Sequence, residues 1–199
     1  VWALVRHKLT APWERWLAVL AMAGAIGNGI DRALYGYVVD MFELEFMHFA
    51  VFNIADIAIN LQAPMLLTHA LLPAMIARGR GQVVNIASTS GLIAMPYQEP
   101  YSATKFGLVG FSRALRLTSQ MEGWGIGVSA VCPGFVADDG MFARIMAEHG
   151  LDPAAFQPAA LADVGAAVVR AVADDLELVC VDGGGTPEAV GLSYADPIG

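Results

Sequence analysis

From residue 54 onward the chain alternates between helical patterns and short apolar runs. Residues 55–81 carry apolar side chains at helical spacing and end on Arg78 and Gly79, a basic last turn followed by a glycine stop. Further helical patterns cover 101–120 and 161–175, and β-branched or apolar runs typical of buried strands cover 82–88, 126–134 and 176–185. Such alternation predicts an α/β fold, a Rossmann-like doubly wound parallel sheet with helices on both faces. Within 101–120 we expect Phe106, Val109, Leu115 and Leu117 to be buried.

The bulk properties favour one domain over residues 1–199, with a front part, 1–53, that has no clear period. Hydrophobic residues make up 56% of the chain and charged residues 15%, so we expect a buried sheet, a subunit interface or both, and a homodimer or homotetramer. The net charge of −8 argues against a nucleic-acid partner, because phosphate binding needs clustered Lys and Arg.

The cysteines and histidines give no sign of a disulfide framework or a metal site. Cys132 and Cys180 are far apart in sequence and each lies beside valines, which is typical of buried thiols in a reducing compartment, and we expect a cytoplasmic protein. The four histidines show no ligand spacing, so we expect no metal.

One stretch near the start of the chain allows a different cellular location. Residues 16–30 are uncharged and follow basic residues, which resembles a signal peptide. They are fewer than the roughly 20 residues that a membrane span needs. We therefore expect a buried strand and turn there and no membrane association, with an exported or anchored form as the alternative.

Chemistry-bearing residues converge on one edge of the predicted sheet. Ser88 ends one strand, and Pro133 and Gly134 end another, at the carboxyl edge where ligands bind in such sheets. Tyr101 and Lys105 open the helix after the Ser88 loop, and their i, i+4 spacing places them on one helical face.

Ser88, Tyr101 and Lys105, thirteen and then four residues apart, resemble the active site of the short-chain dehydrogenase/reductase family. The flanking sequences INLQAPMLLTHALLPAM, GQVVNIASTSGL, VSAVCPGFV and LVCVDGGGT are similar to that family as well. The resemblance covers about 57–186. It implies an oxidoreductase that uses NAD or NADP to transfer a hydride to or from a small alcohol or carbonyl compound.

The resemblance also implies a role for each residue. A tyrosine hydroxyl in water has a pKa near 10, and a nearby ammonium favours its phenolate, so Tyr101 serves as the acid/base with Lys105 beside it. Lys105 also binds the ribose, Ser88 holds the substrate oxygen, and Asn60 supports a water that relays protons. The residues expected to bind cofactor are Tyr101, Lys105, Pro133, Gly134 and Val136. The residues expected to line an apolar substrate pocket are Met95, Tyr97, Val136, Met141 and Phe142, with 138–150 as a lid.

The front of the chain departs from the family pattern. Gly24, Gly27 and Gly29 come close to a phosphate-cradling loop but do not match its spacing, and only 87 residues precede Ser88 where roughly 120 are expected. Asp138 replaces a common threonine, and its carboxylate would repel cofactor phosphates. The N-terminal part of the dinucleotide fold is therefore incomplete. The alternative function is an impaired relative that acts as a binding or assembly partner.

Overall fold

A computed structural model describes residues 58–94, 98–137 and 158–182, together with isolated positions at 19–34 and 146–156. The main elements, in chain order, are a π-helical turn (Ala58–Gln62), α1 (Ala63–Arg78), β1 (Gly81–Ile86), a 3₁₀ turn (Thr89–Gly91), α2 (Glu99–Met121), β2 (Ile126–Pro133), β3 (Val136–Ala137), β4 (Ala159–Ala160), α3 (Leu161–Ala173) and β5 (Leu178–Val181).

The main sheet of the described residues has three parallel strands in the order β1-β2-β5. Gly81 pairs with Ile126 at one end of β1, and Ile86 pairs with Val131 at the other. β5 pairs along the second half of β2, from Ala130 onward. Parallel strands joined by helices confirm the predicted α/β sheet.

Two core clusters cover the two faces of β2. Ala130 and Cys132 are fully buried on the α2 side, where they pack with Leu108. Val131 is fully buried on the opposite side, where it packs with Ala171 of α3. The apolar run of β2 thus reflects a strand buried on both faces, with helices above and below.

Hydrogen bonds of buried side chains join helix α2 to strands β1 and β2. The Ser119 hydroxyl donates to the Ile126 carbonyl at 2.7 Å and accepts from the Ile126 amide at 3.2 Å. Nearer the site, the Asn85 side-chain amide donates to the Ser112 hydroxyl at 2.9 Å, and both residues are buried. These bonds hold the helix in register with β1 and β2.

Helix α1 ends where the sequence predicts. Gly79 has φ 64°, a left-handed conformation that glycine adopts at little cost, and its amide donates to the Ile76 carbonyl at 2.9 Å. Most of the apolar surface of α1 is not covered in the described part of the chain, since Thr68 is its one buried residue. Leu67 is 59% exposed.

Four predictions about burial need correction. Phe106 and Leu115 are half-buried and not buried. Leu117 is 59% exposed, because the helical repeat carries it past the edge of the face that contacts the sheet. Cys132 is buried as expected, but Cys180 is only half-buried, because β5 lies at one edge of the three-stranded sheet that the described residues form.

The glycine-containing stretch at the front is helical at each position that the structure describes between 19 and 34, including Ala23, Gly27 and Gly29. Val19, Ile26 and Leu34 are exposed. The expected buried strand and turn is therefore wrong at these positions. In the ranges described, no helix combines the length and the apolar character that crossing a bilayer requires.

Candidate active site

The site lies at the carboxyl edge of the sheet, where β1 and β2 end side by side. The Ala87 amide donates to the Val131 carbonyl at 2.7 Å, which extends the strand pairing to the residue before Ser88. The Gly134 amide donates to the Val181 carbonyl at 3.0 Å, so the turn after β2 is tied to β5. The structure thus brings Ser88 and the Pro133-Gly134 turn to the same edge, as predicted.

Ser88 is held in one orientation by the turn that follows it. Its backbone is extended, it is 8% exposed, and its hydroxyl oxygen accepts from the Ser90 amide at 3.1 Å. The hydroxyl therefore caps the 3₁₀ turn. Because this bond uses an oxygen lone pair, the hydroxyl proton stays available for an oxygen of a bound molecule.

Tyr101 and Lys105 lie on one face of α2, as their spacing predicts. The Lys105 ammonium nitrogen is 5.5 Å from the centroid of the Tyr101 ring. The same nitrogen donates to the Ile86 carbonyl at 3.3 Å. Lys105 thus joins the phenol-bearing helix to the end of the strand that leads to Ser88, and the three residues share one end of the β1–α2 unit.

The Lys105 ammonium is placed in a largely desolvated position. Lys105 is 8% exposed, and burial lowers the pKa of its ammonium, while the thiol of Cys132 acts in the opposite direction. The Ile86 carbonyl and the face of the Tyr101 ring offset part of the desolvation cost. A buried cation beside a half-buried phenol is the arrangement that acid/base work at this edge requires.

Gly91 is a part of this site that the sequence analysis missed. A methyl group added at Gly91 would lie 2.7 Å from the Lys105 carbonyl oxygen. The absence of a side chain lets the 3₁₀ turn pack directly on the backbone of α2. The glycine in STSGL, just after a strand end, is the sequence signal for such a close approach.

Ser102 was also missed. Its hydroxyl is buried and has no hydrogen-bond partner among the residues that the structure describes, and it lies one residue after Tyr101 in the YSATK motif. A buried polar atom without a partner costs free energy unless something else satisfies it.

Asn60 lies in the π-helical turn before α1 and is half-buried. The next residue, Leu61, packs on α2 at Gly107, where an added methyl group would lie 3.2 Å from a Leu61 side-chain carbon. The turn is therefore adjacent to the helix that bears Lys105. A proton relay through Asn60 stays a prediction.

The expected cofactor residues after β2 have clear positions. A methyl group at Gly134 would lie 3.1 Å from the Asp182 side chain and 3.7 Å from that of Thr89, so the ends of three strands crowd together there. Val136 pairs with Ala159 in the small sheet formed by β3 and β4. Contact of Pro133, Gly134 or Val136 with a cofactor stays a prediction.

Several sequence-predicted residues lie outside the described part of the chain. These are Met95, Tyr97, Asp138, Met141 and Phe142, and most of the expected lid at 138–150. Two cavities, of 380 and 810 Å³, are bounded by described residues along the outer edge of β5. Neither is lined by Ser88, Tyr101 or Lys105.

The sequence model of the short chain dehydrogenase family matches residues 44–149, which is 106 of the 199 residues. The chain therefore belongs to the short chain dehydrogenase family. The matched region contains Ser88, Tyr101, Lys105 and Asn60.

Individual relatives agree with this assignment. The ketoacyl reductase HetN of Nostoc sp. is 42% identical over 97 residues, covering 47% of this chain and 33% of the relative. A putative ketoacyl reductase of Streptomyces coelicolor is 48% identical over 79 residues, covering 39% of this chain and 30% of the relative. This chain thus spans about a third of the length of the curated relatives that it matches.

Solved structures confirm the fold. Levodione reductase superimposes with a TM-score of 0.58 at 26% identity, covering 68% of this chain and 60% of its own. A variant of actinorhodin polyketide ketoreductase with NADPH superimposes with a TM-score of 0.54 at 30% identity, covering 64% of this chain and 56% of its own.

The front of the chain is similar to a different family. The sequence model of signal peptidase (SPase) II matches residues 1–72 and overlaps the dehydrogenase match at 44–72. The lipoprotein signal peptidase of a Synechococcus strain is 52% identical over 62 residues, covering 30% of this chain and 41% of the relative. This similarity accounts for the departure of 1–53 from the dehydrogenase pattern.

Proposed function

We propose that the chain is an oxidoreductase that transfers a hydride between NAD or NADP and an alcohol or carbonyl compound. The observation that carries this proposal is the placement of the Lys105 ammonium over the Tyr101 ring beside Ser88, at the carboxyl edge of the sheet. Membership of the short chain dehydrogenase family and the cofactor-bearing structural relatives support it.

The described residues fit the nicotinamide end of such a cofactor. The ammonium of Lys105 lies near the start of α2, over the Tyr101 ring, and would bind a ribose there. Pro133, Gly134 and Val136 follow β2 at the same edge. When bound, NAD or NADP would accept or supply the hydride, which none of the side chains can do.

The side chains would carry out the proton transfer. Ser88 would donate a hydrogen bond to the substrate oxygen, while its own oxygen is fixed by the Ser90 amide. Tyr101 would give that oxygen a proton in reduction or take one in oxidation, with the Lys105 ammonium 5.5 Å from the centroid of its ring. Asn60 would support a water through which the proton exchanges with solvent.

The names of the relatives narrow the first substrates to try. They include ketoacyl reductases and D-beta-hydroxybutyrate dehydrogenases, whose names share a keto or hydroxy group on an acyl chain. We therefore propose a 3-oxoacyl or 3-hydroxyacyl compound as the substrate class.

The test is substitution of the phenol. Tyr101→Phe keeps the ring beneath Lys105 but removes the acidic proton, so we expect kcat for acetoacetyl thioester reduction to fall about 100-fold or more. NADPH and NADH oxidation, followed by absorbance, measures this. Unchanged turnover in Tyr101→Phe would refute the assignment.

A matched pair of serine variants separates catalysis from stability. Ser88→Ala removes the hydrogen bond to substrate and should lower kcat, whereas Ser119→Ala removes a buried hydroxyl at the far end of α2. Ser119→Ala should lower the free energy of unfolding with little effect on kcat. Equal loss of turnover in both would show that Ser88 acts only through the fold.

The subunit arrangement and location complete the proposal. Apolar side chains on α1 and α2 are exposed in a single chain, and burying them between copies would suit a homodimer or homotetramer. The two free cysteines and the dehydrogenase chemistry suit a reducing, cytoplasmic setting. The net charge of −8 does not suit nucleic acid.

A second candidate function, cleavage of a peptide bond, rests on the signal peptidase match to residues 1–72. Two carboxyl groups that share a proton can activate water for such a reaction, and this stretch has three aspartates, Asp31, Asp40 and Asp56. Incubation with a lipoprotein precursor peptide tests it. Cleavage that each Asp→Asn substitution leaves unchanged would contradict a role for these carboxyl groups.

A further inference from the structure

The two cysteines, 48 positions apart in sequence, become direct neighbours in the sheet. Cys132 of β2 and Cys180 of β5 are register partners. Adjacent strands lie about 4.8 Å apart, and disulfide-bonded cysteines have Cα atoms about 4.4–6.8 Å apart. The backbone positions therefore suit a bond between the two sulfurs.

Both side chains project toward the same face of the sheet. Cys132 belongs to the core cluster beneath α2, and Cys180 packs against that cluster. Register partners in a parallel pair point the same way, and the shared cluster shows that these two do. No intervening side chain of the ladder separates them, because they are directly paired.

The outer thiol can be reached from solvent. Cys180 is half-buried and lines the 810 Å³ cavity, whose other lining residues include Phe106 and Val109 of α2, while Cys132 is fully buried. The Cys180 thiolate is therefore the first of the two that can attack a small disulfide from solvent. Cys132 is then placed to react with the adduct.

We propose that Cys132 and Cys180 form a reversible intrachain disulfide, a modification site that responds to small-molecule disulfides. In the first step the Cys180 thiolate attacks a low-molecular-weight disulfide such as oxidised glutathione, which gives a mixed disulfide and releases one thiol. In the second step the Cys132 thiolate attacks the Cys180 sulfur and releases the second thiol. The protein loses two electrons and two protons, and the small disulfide gains both.

The environment makes this exchange slow and selective. Burial raises the pKa of the Cys132 thiol to about 12 and raises that of Cys180 as well, so little thiolate is present near neutral pH. Brief exposure to oxidant should leave both thiols reduced.

The bond would also disturb the proposed active site. Ala87, the residue before Ser88, donates its amide to the carbonyl of Val131, the residue before Cys132, and Pro133 and Gly134 follow Cys132 directly. Drawing the Cys132 sulfur toward Cys180 would shift the part of β2 that positions the Ser88 turn. This consequence for turnover rests on the proposed function, whereas the disulfide itself does not.

The full chain is reduced, freed of reductant and incubated with oxidised glutathione, and its remaining thiols are then alkylated under denaturing conditions. Because the chain has only two cysteines, intact mass and peptide mapping give an unambiguous answer. We expect an unalkylated chain with a Cys132–Cys180 linked peptide, and recovery of two thiols with dithiothreitol. Two persistent thiols, a lasting glutathione adduct or an interchain bond would overturn the proposal.

Two variants check the order of steps. Cys132→Ala should accumulate glutathione on Cys180, because the second thiol is missing. Cys180→Ala should stay unmodified, because Cys132 is buried. Rapid modification of Cys132 in Cys180→Ala would contradict the proposed order.

Turnover gives a separate readout. Oxidation should lower kcat about tenfold in the wild type, as expected for a misplaced substrate-binding group, and leave Cys180→Ala unaffected. If the chain shows no reductase activity in either state, the proposed function fails while the mass measurement still decides the disulfide.

Discussion

Lys105 is a buried charged residue at the proposed site, and its burial is costly to the fold. Lys105 is 8% exposed, and the surroundings of its ammonium include a backbone carbonyl and an aromatic ring. Replacing a buried charged group by an apolar one of similar size is often neutral or stabilising. Retaining lysine here is therefore better explained by chemistry at Tyr101 than by stability.

Lys105→Met should accordingly separate stability from activity. We expect the free energy of unfolding at pH 7 to rise by about 1 kcal/mol, because the desolvation cost is removed, while kcat falls about 100-fold or more. Urea denaturation and the reductase assay measure the two effects. Lys105→Arg serves as the control, since it keeps the charge but should not restore turnover. Loss of stability in Lys105→Met without loss of turnover would contradict this account.

Lys105 also predicts the direction in which the stability of the folded chain changes with pH. The folded state lowers the pKa of Lys105 below the unfolded value of 10.5, so between those two values the unfolded chain holds more protons. The stability of the wild type relative to Lys105→Met should therefore rise as pH increases through this window up to about 10.5.

At the scale of elements, the site depends on how closely the 3₁₀ turn approaches α2. Gly91 contacts the carbonyl of Lys105 with no room for a methyl group. Because both sides of this contact are backbone, neither side can easily move to make room for a methyl group. The approach sets the distance between the Ser88 turn and the helix that bears Tyr101.

Gly91→Ala should push the turn away from α2. We expect the free energy of unfolding to fall by about 1–3 kcal/mol, the usual range for overpacking, and kcat to fall with it. Gly110→Ala, within α2 itself, is the matched control, because a methyl group added there meets nothing within 4 Å. That variant should be neutral or up to about 1 kcal/mol more stable, since alanine favours helix. Equal effects of the two substitutions would show that the approach at Gly91 is unimportant.

The elements themselves were largely predictable from the sequence. β2 runs over 126–133 where 126–134 was expected, and α2 over 99–121 where 101–120 was expected, because apolar runs and helical periods are strong local signals. Pairings between distant segments were not predictable. The adjacency of Cys132 and Cys180 depends on strand register, which the spacing of residues along the chain does not encode.

At the scale of the whole molecule, different parts of the chain are similar to two different families. The site residues were identifiable because YSATK and its flanks lie within the part that matches the dehydrogenases. The composition of 1–53 and its lack of a clear period indicated only that this part differs from the dehydrogenases. Its similarity to signal peptidase II came from the comparison and not from the residue pattern. The glycines at 27 and 29 could not be placed by sequence, because a glycine run inside apolar residues suits either a turn or a helix.

Because residues 1–53 depart from the dehydrogenase pattern, we predict that the chain binds the nicotinamide half of the cofactor more tightly than the adenosine half. The residues proposed to hold cofactor all serve its nicotinamide end, and the described glycines at 27 and 29 are helical instead of forming a turn that could cradle phosphate. Reduced nicotinamide mononucleotide, the half of NADH that carries the hydride, should therefore bind and support turnover. AMP, the other half, should compete weakly.

Competition against NADH fluorescence tests this directly, with each mononucleotide titrated separately into the full chain. We expect reduced nicotinamide mononucleotide to displace NADH at concentrations where AMP has no measurable effect. Tyr101→Phe keeps Lys105, which we propose binds the ribose, and should preserve this difference, whereas Lys105→Met should remove it. AMP that competes as strongly as the nicotinamide half would show that the chain builds an adenosine site, because an affinity shared equally between the two halves requires contacts at both ends.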